Sequence, residues 1–150
     1  MENKKYEKLV AYWNRQDHLQ VKFDAAEKSG DAKTMDACQD AYENLLQEVR
    51  EEGETFGEMM RLYSDMKKHG NSHLDLSGTY REPEKILQTF REFGVTEFTF
   101  SSNWSSAIQV AWAFNQMGCR LKGMIEINGS GRKLMSDEYE KIPALVFEMK

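Results

Sequence analysis

Residues 95–128, VTEFTFSSNWSSAIQVAWAFNQMGCRLKGMIEIN, constrain the fold more than any other stretch of the chain. The segment 95–101 is β-branched and aromatic without a breaker, the composition of a mostly buried pleated strand. It stops at Ser101, Ser102 and Asn103, each able to accept a hydrogen bond from the free N–H groups of a first helical turn. Trp104 then opens an apolar run that closes at Gly118, a residue suited to the left-handed stop of a helix. The stretch therefore reads as strand, polar turn, helix over 104–117, glycine stop and a second strand over 120–128. That is a βαβ unit, whose strands run parallel through a right-handed crossover.

What precedes it is helical. Residues 3–28 lack Gly and Pro and place Tyr6, Leu9, Val10, Trp13, Leu19 and Phe23 at roughly helical intervals, ending at Ser29-Gly30. Asp31 caps a second helix whose apolar positions Met35, Cys38, Tyr42, Leu45 and Val49 step alternately by three and four, the seam of a helix packed on a helix. Gly53 ends it, and Thr55 with Glu58 has the spacing of a capping box for a third helix carrying Phe56, Met59, Met60, Tyr63 and Met66 to Gly70. A loop follows, with a short strand at 73–76. Pro83 then fits the first turn of a fourth helix ending at Gly94. In 119–128, Cys119, Leu121, Gly123, Ile125 and Ile127 alternate with more polar residues, so one face is expected to be buried. Residues 129–142 read as a polar loop with turn glycines, and 144–149 as an edge strand pairing antiparallel with 120–128.

The expected fold is α+β (or α/β): N-terminal helices packed on a small mixed sheet built from a C-terminal βαβ unit plus a hairpin. The strands 95–101, 120–128 and 144–149 belong to that one sheet. At 150 residues the chain suits a single domain, with 1–70 its helical part and 71–150 its α/β part. Hydrophobic residues at 40% and charged residues at 30% exclude global disorder. No apolar run reaches the ~18 residues of a membrane span, so the default expectation is a cytoplasmic protein without a membrane partner. Cys38 and Cys119 lack CxxC spacing and read as small buried hydrophobes. The net charge of −5 gives no global basic field for nucleic acid.

Candidate chemistry concentrates after residue 101. Ser101, Ser102, Asn103, Ser105 and Ser106 lie where a strand's carboxyl end meets a helix N-terminus, a place where ligands and anions bind in parallel sheets. Arg81, Arg132 and Lys133 are the cations available to such a site, and helix capping alone explains at least two of the polar residues. A hydrolase would need Ser102 or Ser105 as nucleophile, His69 or His73 as base and Asp75 as orienting carboxylate, with nothing in the sequence fixing them together. The same His69, His73 and Asp75 lack metal-ligand spacing, and neither metal nor cofactor is expected. Arg120, Lys122, Arg132 and Lys133 form a weak nucleic-acid patch whose charges would be spent on the sheet by pairs such as Lys122 with Glu148. Trp112, on the margin of an otherwise apolar helix, is covered by the N-terminal helices or is a partner contact, and Glu48, Glu51 and Glu52 offer an acidic surface for a basic partner.

The run EKILQTFREFGVTEFTFSSNWSSAIQVAWAFNQMGCRLKGMIEING, through its serine-tryptophan turn, AWAF helix and GMIEING strand, resembles uncharacterised small proteins of Gram-positive gut bacteria, often carried on mobile elements. The resemblance spans about the C-terminal half and implies a setting rather than an activity: such elements carry small acidic proteins that block host defence enzymes, anti-CRISPR proteins among them. The expected function is a non-enzymatic acidic protein acting by protein–protein contact, as an inhibitor of an enzyme with a basic nucleic-acid channel. The alternative is a small-ligand or anion-binding protein, or an enzyme, with its site at the serine-rich turn.

Overall fold

Asn3 accepts a hydrogen bond from the Tyr6 N–H at 3.0 Å and opens α1, Lys4–Ser29, which Gly30 ends at φ 72. Asp31 accepts from the Thr34 N–H and caps α2, Ala32–Glu51. Both boundaries follow the sequence signals. The third helix, α3, spans Glu54–His69 and starts ahead of the expected capping box. The Glu58 carboxylate, expected to reach back toward Thr55, accepts from Arg61 at 2.7 Å. The computed structural model describes residues 3–78 and 82–149, and the chain divides within α3 into two compact units, Met1–Arg61 and Leu62–Lys150.

Unit 1 is a helical hairpin with the first turns of α3. Leu9, Tyr12, Cys38, Leu45 and Phe56 are buried, and the Tyr12 and Phe56 rings meet edge to face at 5.6 Å. Charged pairs fasten α1 to the end of α2: Arg15 to Glu48 at 2.7 Å, and Lys8 to Glu52.

Unit 2 is built on a mixed four-stranded sheet of order β1-β2-β4-β3. Its strands are β1, Asp75–Leu76; β2, Glu97–Phe100; β3, Arg120–Arg132; and β4, Tyr139–Glu148. The helices are α4, Pro83–Glu92, between β1 and β2, and α5, Ala107–Gln116, between β2 and β3. β1 pairs parallel with β2, so β1-α4-β2 joins adjacent parallel strands. β2 and β3 both run antiparallel to β4. They are therefore parallel to each other with β4 between them, so the expected βαβ unit forms without its two strands being neighbours. The architecture is α+β, and the three long strands share one sheet as the sequence predicted.

Three expectations need correction. The last strand is interior rather than an edge: Ala144, Val146 and Phe147 are all buried, as both faces of a central strand require. Pro143 is tolerated because it pairs with Glu126 on the stretch of β4 that has β3 alone beside it. The polar segment 129–142 is mostly strand, with the hairpin continuing to Arg132 and Tyr139. Its glycines serve close approach rather than turning, since a Cβ on Gly129 would lie 3.2 Å from Ile142. Finally, β3 is an edge on which the expected alternation holds only in part: Ile127 is buried, but Leu121 is 51% and Ile125 38% exposed.

The core of unit 2 is a phenylalanine cluster between the sheet and its two helices. Phe98 meets Phe90 of α4 at 5.1 Å, Phe114 of α5 at 5.3 Å and Phe147 of β4 at 5.6 Å. By register Phe98, Phe100, Leu145 and Phe147 share that face, and Thr99, Ala144, Val146 and Ile127 share the other. All are buried but Leu145, which is half-buried.

Candidate functional site

At the carboxyl end of β2 the chain does not enter its helix at once. The Ser102 hydroxyl accepts from the Trp104 N–H at 3.4 Å, and residues 104–106 turn before α5 begins at Ala107. Serine and asparagine side chains compete with helical backbone bonds in this way. The expected helix start at 104 therefore moves to 107, and Ser106 takes the N-cap position without a side-chain cap bond.

This late start leaves one side of α5 uncovered. Val110 and Phe114 face the core and are buried. Trp104, Ile108 and Trp112, spaced four apart, are 64%, 84% and 63% exposed. Ile108 also walls a cleft of about 330 Å³, together with Ala111 of α5, Met124 of β3, Pro143 and Leu145 of β4, and Phe100, Ser101 and Ser102 at the end of β2. Met124 is itself 66% exposed. The cleft is apolar and open, and among the described residues the polar side chains lining it are the Ser101 and Ser102 hydroxyls.

A second polar cluster lies behind the turn. Asp75 accepts from the Thr99 and Ser101 hydroxyls, each at 2.6 Å. Burial pushes the Asp75 carboxyl above its usual range, against the pull of the Ser101 and Thr99 bonds and of nearby His69. The carboxylate engages Ser101, not Ser102 or Ser105. His73 is drawn to Glu97, its Nε2 lying 2.9 Å from Oε1, and His69 stacks edge to face on Tyr139 at 4.8 Å. Asp75, His69 and His73 thus each engage groups other than Ser102 and Ser105, so the constellation a hydrolase would need is not assembled. Among the described residues no group of His, Cys, Asp and Glu is placed to hold a metal ion. Both cysteines are free and buried, and burial pushes the Cys119 thiol up, away from reactivity.

The other sequence candidates fall apart into separate neighbourhoods. Asn103 and Ser105 are exposed on the turn without lining the cleft. Arg120 pairs with Glu148 at 2.7 Å and Lys122 with Glu97 at 3.0 Å, so the Lys122–Glu148 pair expected is replaced by these two. Arg132 donates to the Asp137 carbonyl and covers the Tyr139 ring, and Lys133 pairs with Glu138. Arg81 lies outside the described residues. Trp112 belongs to unit 2, whereas Glu48, Glu51 and Glu52 belong to unit 1, where Glu48 and Glu52 are already ion-paired. Sequence reading missed Ile108, Met124 and Pro143. The available signal was the four-residue spacing of Ile108 and Trp112, which puts two large apolar side chains on one side of α5.

A family model described as Domain of unknown function (DUF7698) matches residues 58–149, more than half of the chain. The chain belongs to that family. The match takes in the sheet, α4, α5 and the cleft, and leaves the α1–α2 hairpin outside it. No curated protein and no solved structure matches the chain. Among the described residues no helix is long and apolar enough to cross a membrane.

Proposed function

We propose that this chain is a non-enzymatic binding protein that holds another polypeptide against the exposed side of α5 and the cleft that Ile108 walls. The observation that carries the reading is the exposure of Trp104, Ile108 and Trp112, of which Ile108 shares the wall of the cleft with exposed Met124. Tryptophans at this exposure are what association surfaces use as anchors. With about 200 Å² per tryptophan, covering the exposed part of both at ~25 cal/mol per Å² yields roughly 6 kcal/mol. Association itself costs on the order of 4–15 kcal/mol. The tryptophans alone offset only the lower part of that range and leave little surplus for affinity, so a stable complex would draw also on the cleft through Ile108 and Met124.

Two other readings have less support. An anion on the serine turn would sit close to the Asp75 carboxylate, and Arg132 and Lys133 are engaged within their own hairpin loop. An inhibitor that presents its acidic helices to a basic channel would rely on Glu48 and Glu52, whose charges are compensated by Arg15 and Lys8. The two protein-binding versions differ in salt dependence, since exposed charge contacts are screened within about 10 Å at 0.1 M salt whereas apolar contacts are not. The test is capture of a stoichiometric partner from the source cells by the native chain and by Met124→Glu, at low and high salt. Capture that persists in high salt and is lost in Met124→Glu supports the cleft reading. Capture abolished by salt and indifferent to Met124→Glu would overturn it in favour of the acidic surface.

A further inference from the structure

β3 carries the pattern of an interior strand on the margin of the sheet. Every residue from Arg120 to Glu126 is exposed, and burial begins at Ile127. Register puts Met124 on the face of Leu145 and Ile125 on the face of Ala144, so apolar side chains stand exposed on both sides of the strand. Edge strands are commonly guarded by charges that discourage pairing. The two cations placed to do so are drawn back over the sheet, Arg120 to Glu148 of β4 at 2.7 Å and Lys122 across β4 to Glu97 of β2 at 3.0 Å. The opposite edge, β1, is only Asp75–Leu76.

The ladder fixes which backbone groups of β3 point away from β4. In an antiparallel pair, residues that exchange N–H···O bonds with the partner alternate with residues whose N–H and C=O point the other way. Asn128 is of the second kind: its N–H donates to the Asn71 Oδ1 at 2.9 Å, and its C=O accepts from the Asn71 Nδ2 at 3.0 Å. A side-chain amide thus takes the two bonds that a neighbouring strand would take. The register runs unbroken from Gly123 to Asn128, so Glu126 and Met124 share this orientation. Pro143, opposite Glu126, agrees with it, because proline has no N–H to give to β3. Among the described residues nothing bonds the outward N–H and C=O of Met124 or Glu126.

Resting on the reading of the cleft as a polypeptide-binding site, we infer that the bound segment is an extended one that adds to the free edge of β3 as a further strand of the sheet. Its backbone bonds the outward groups of Met124 and Glu126, about 4.8 Å beyond β3, and Asn71 stops the pairing at Asn128. Side chains on one face of the added strand lie beside Met124 and enter the cleft toward Ile108, and those on the other face cover Ile125. Glu126 has no ion pair among the described residues, so the segment carries a basic residue beside it. The main-chain bonds select an extended backbone, and the cleft selects an apolar side chain at one position along it.

The probe is a peptide selected on the full chain from a displayed library of random decapeptides, then synthesised in two forms with backbone N-methyl groups at alternate residues, odd or even. N-methylation removes a donor and leaves the side chain, and along a strand only every second N–H faces a given neighbour. One form is expected to lose at least about thirtyfold in affinity, while the other binds within about threefold of the unmodified peptide. In the protein, Glu126→Pro removes an outward N–H without touching the β4 ladder, a change that edge strands tolerate. It is expected to lose as much as the weaker N-methyl form, against about threefold for Glu126→Gln, which keeps the N–H. Circular dichroism checks that Glu126→Pro is folded, and the N-methyl pair decides the matter alone if it is not. Peptides lost in Met124→Glu, yet affected equally by both N-methyl patterns, overturn strand addition and leave the cleft reading standing. A library that yields no peptide, or only peptides that bind Met124→Glu as well as the native chain, overturns it too, and the cleft reading is then decided by the capture experiment.

Discussion

Asp75 shows how one side chain sets a pH dependence. Burial raises its folded pKa above the ordinary value, so folding disfavours the carboxylate relative to the unfolded chain. The corresponding stability is fully present below about pH 3.8 and is lost as pH rises through the folded value. Asp75→Asn has no such loss, so its stability relative to the native chain should increase as pH rises from about 4 toward neutrality, then level off. Denaturant unfolding of both proteins across that range checks the sign; a native chain that gains on the variant with rising pH would contradict it. Met135 gives a second residue-scale prediction. Met135 sits at φ 57, and asparagine visits that left-handed region at lower cost, so Met135→Asn should stabilise the folded chain by up to about 1 kcal/mol in denaturant unfolding. Gly129→Ala should destabilise by about 1 kcal/mol or more, because its Cβ meets Ile142 at 3.2 Å. Ile142→Val removes one of the atoms met and should recover part of the loss in a double-mutant cycle.

Within α5, burial and exposure alternate over a few residues and the two classes should behave oppositely. Phe114 touches the rings of Phe98, Phe100 and Phe147 and is fully buried. Phe114→Ala should cost about 3–5 kcal/mol, whereas Trp112→Ala should stay within about 0.5 kcal/mol in thermal or denaturant unfolding of the isolated chain. A comparable loss at both positions would mean that Trp112 is structural. The helix boundaries at Asp31, Gly30, Pro83 and Gly94 were legible because a cap or stop acts within a turn of its own backbone. The start of α5 was not, because Ser102 takes the Trp104 N–H and the sequence does not say which of several hydroxyls will do so. Strand order was also hidden: alternation identifies strands but not neighbours, and nothing local distinguishes an interior β4 from an edge. That insertion moves β3 to the margin, where Leu121 and Ile125 lose the cover their pattern promised. The cleft follows from it and was invisible for the same reason. The serine turn, read as the likeliest ligand position in the sequence, supplies only Ser101 and Ser102 at the cleft's inner end.

At the scale of the whole chain, the family match and the cleft coincide in residues 58–149, while 8 basic and 12 acidic residues fall in the first 53. Association could be driven by either surface, and the ion pairs of Glu48 and Glu52 weigh toward the apolar one. The most direct measurement is the affinity of the captured partner for three forms of the chain in one buffer: native, Met124→Glu, and Glu48→Gln with Glu51→Gln and Glu52→Gln. The account predicts at least a tenfold loss for Met124→Glu, about 1.4 kcal/mol, and less than about a twofold change for the triple glutamine form. A large loss in the glutamine form with native affinity in Met124→Glu would contradict it.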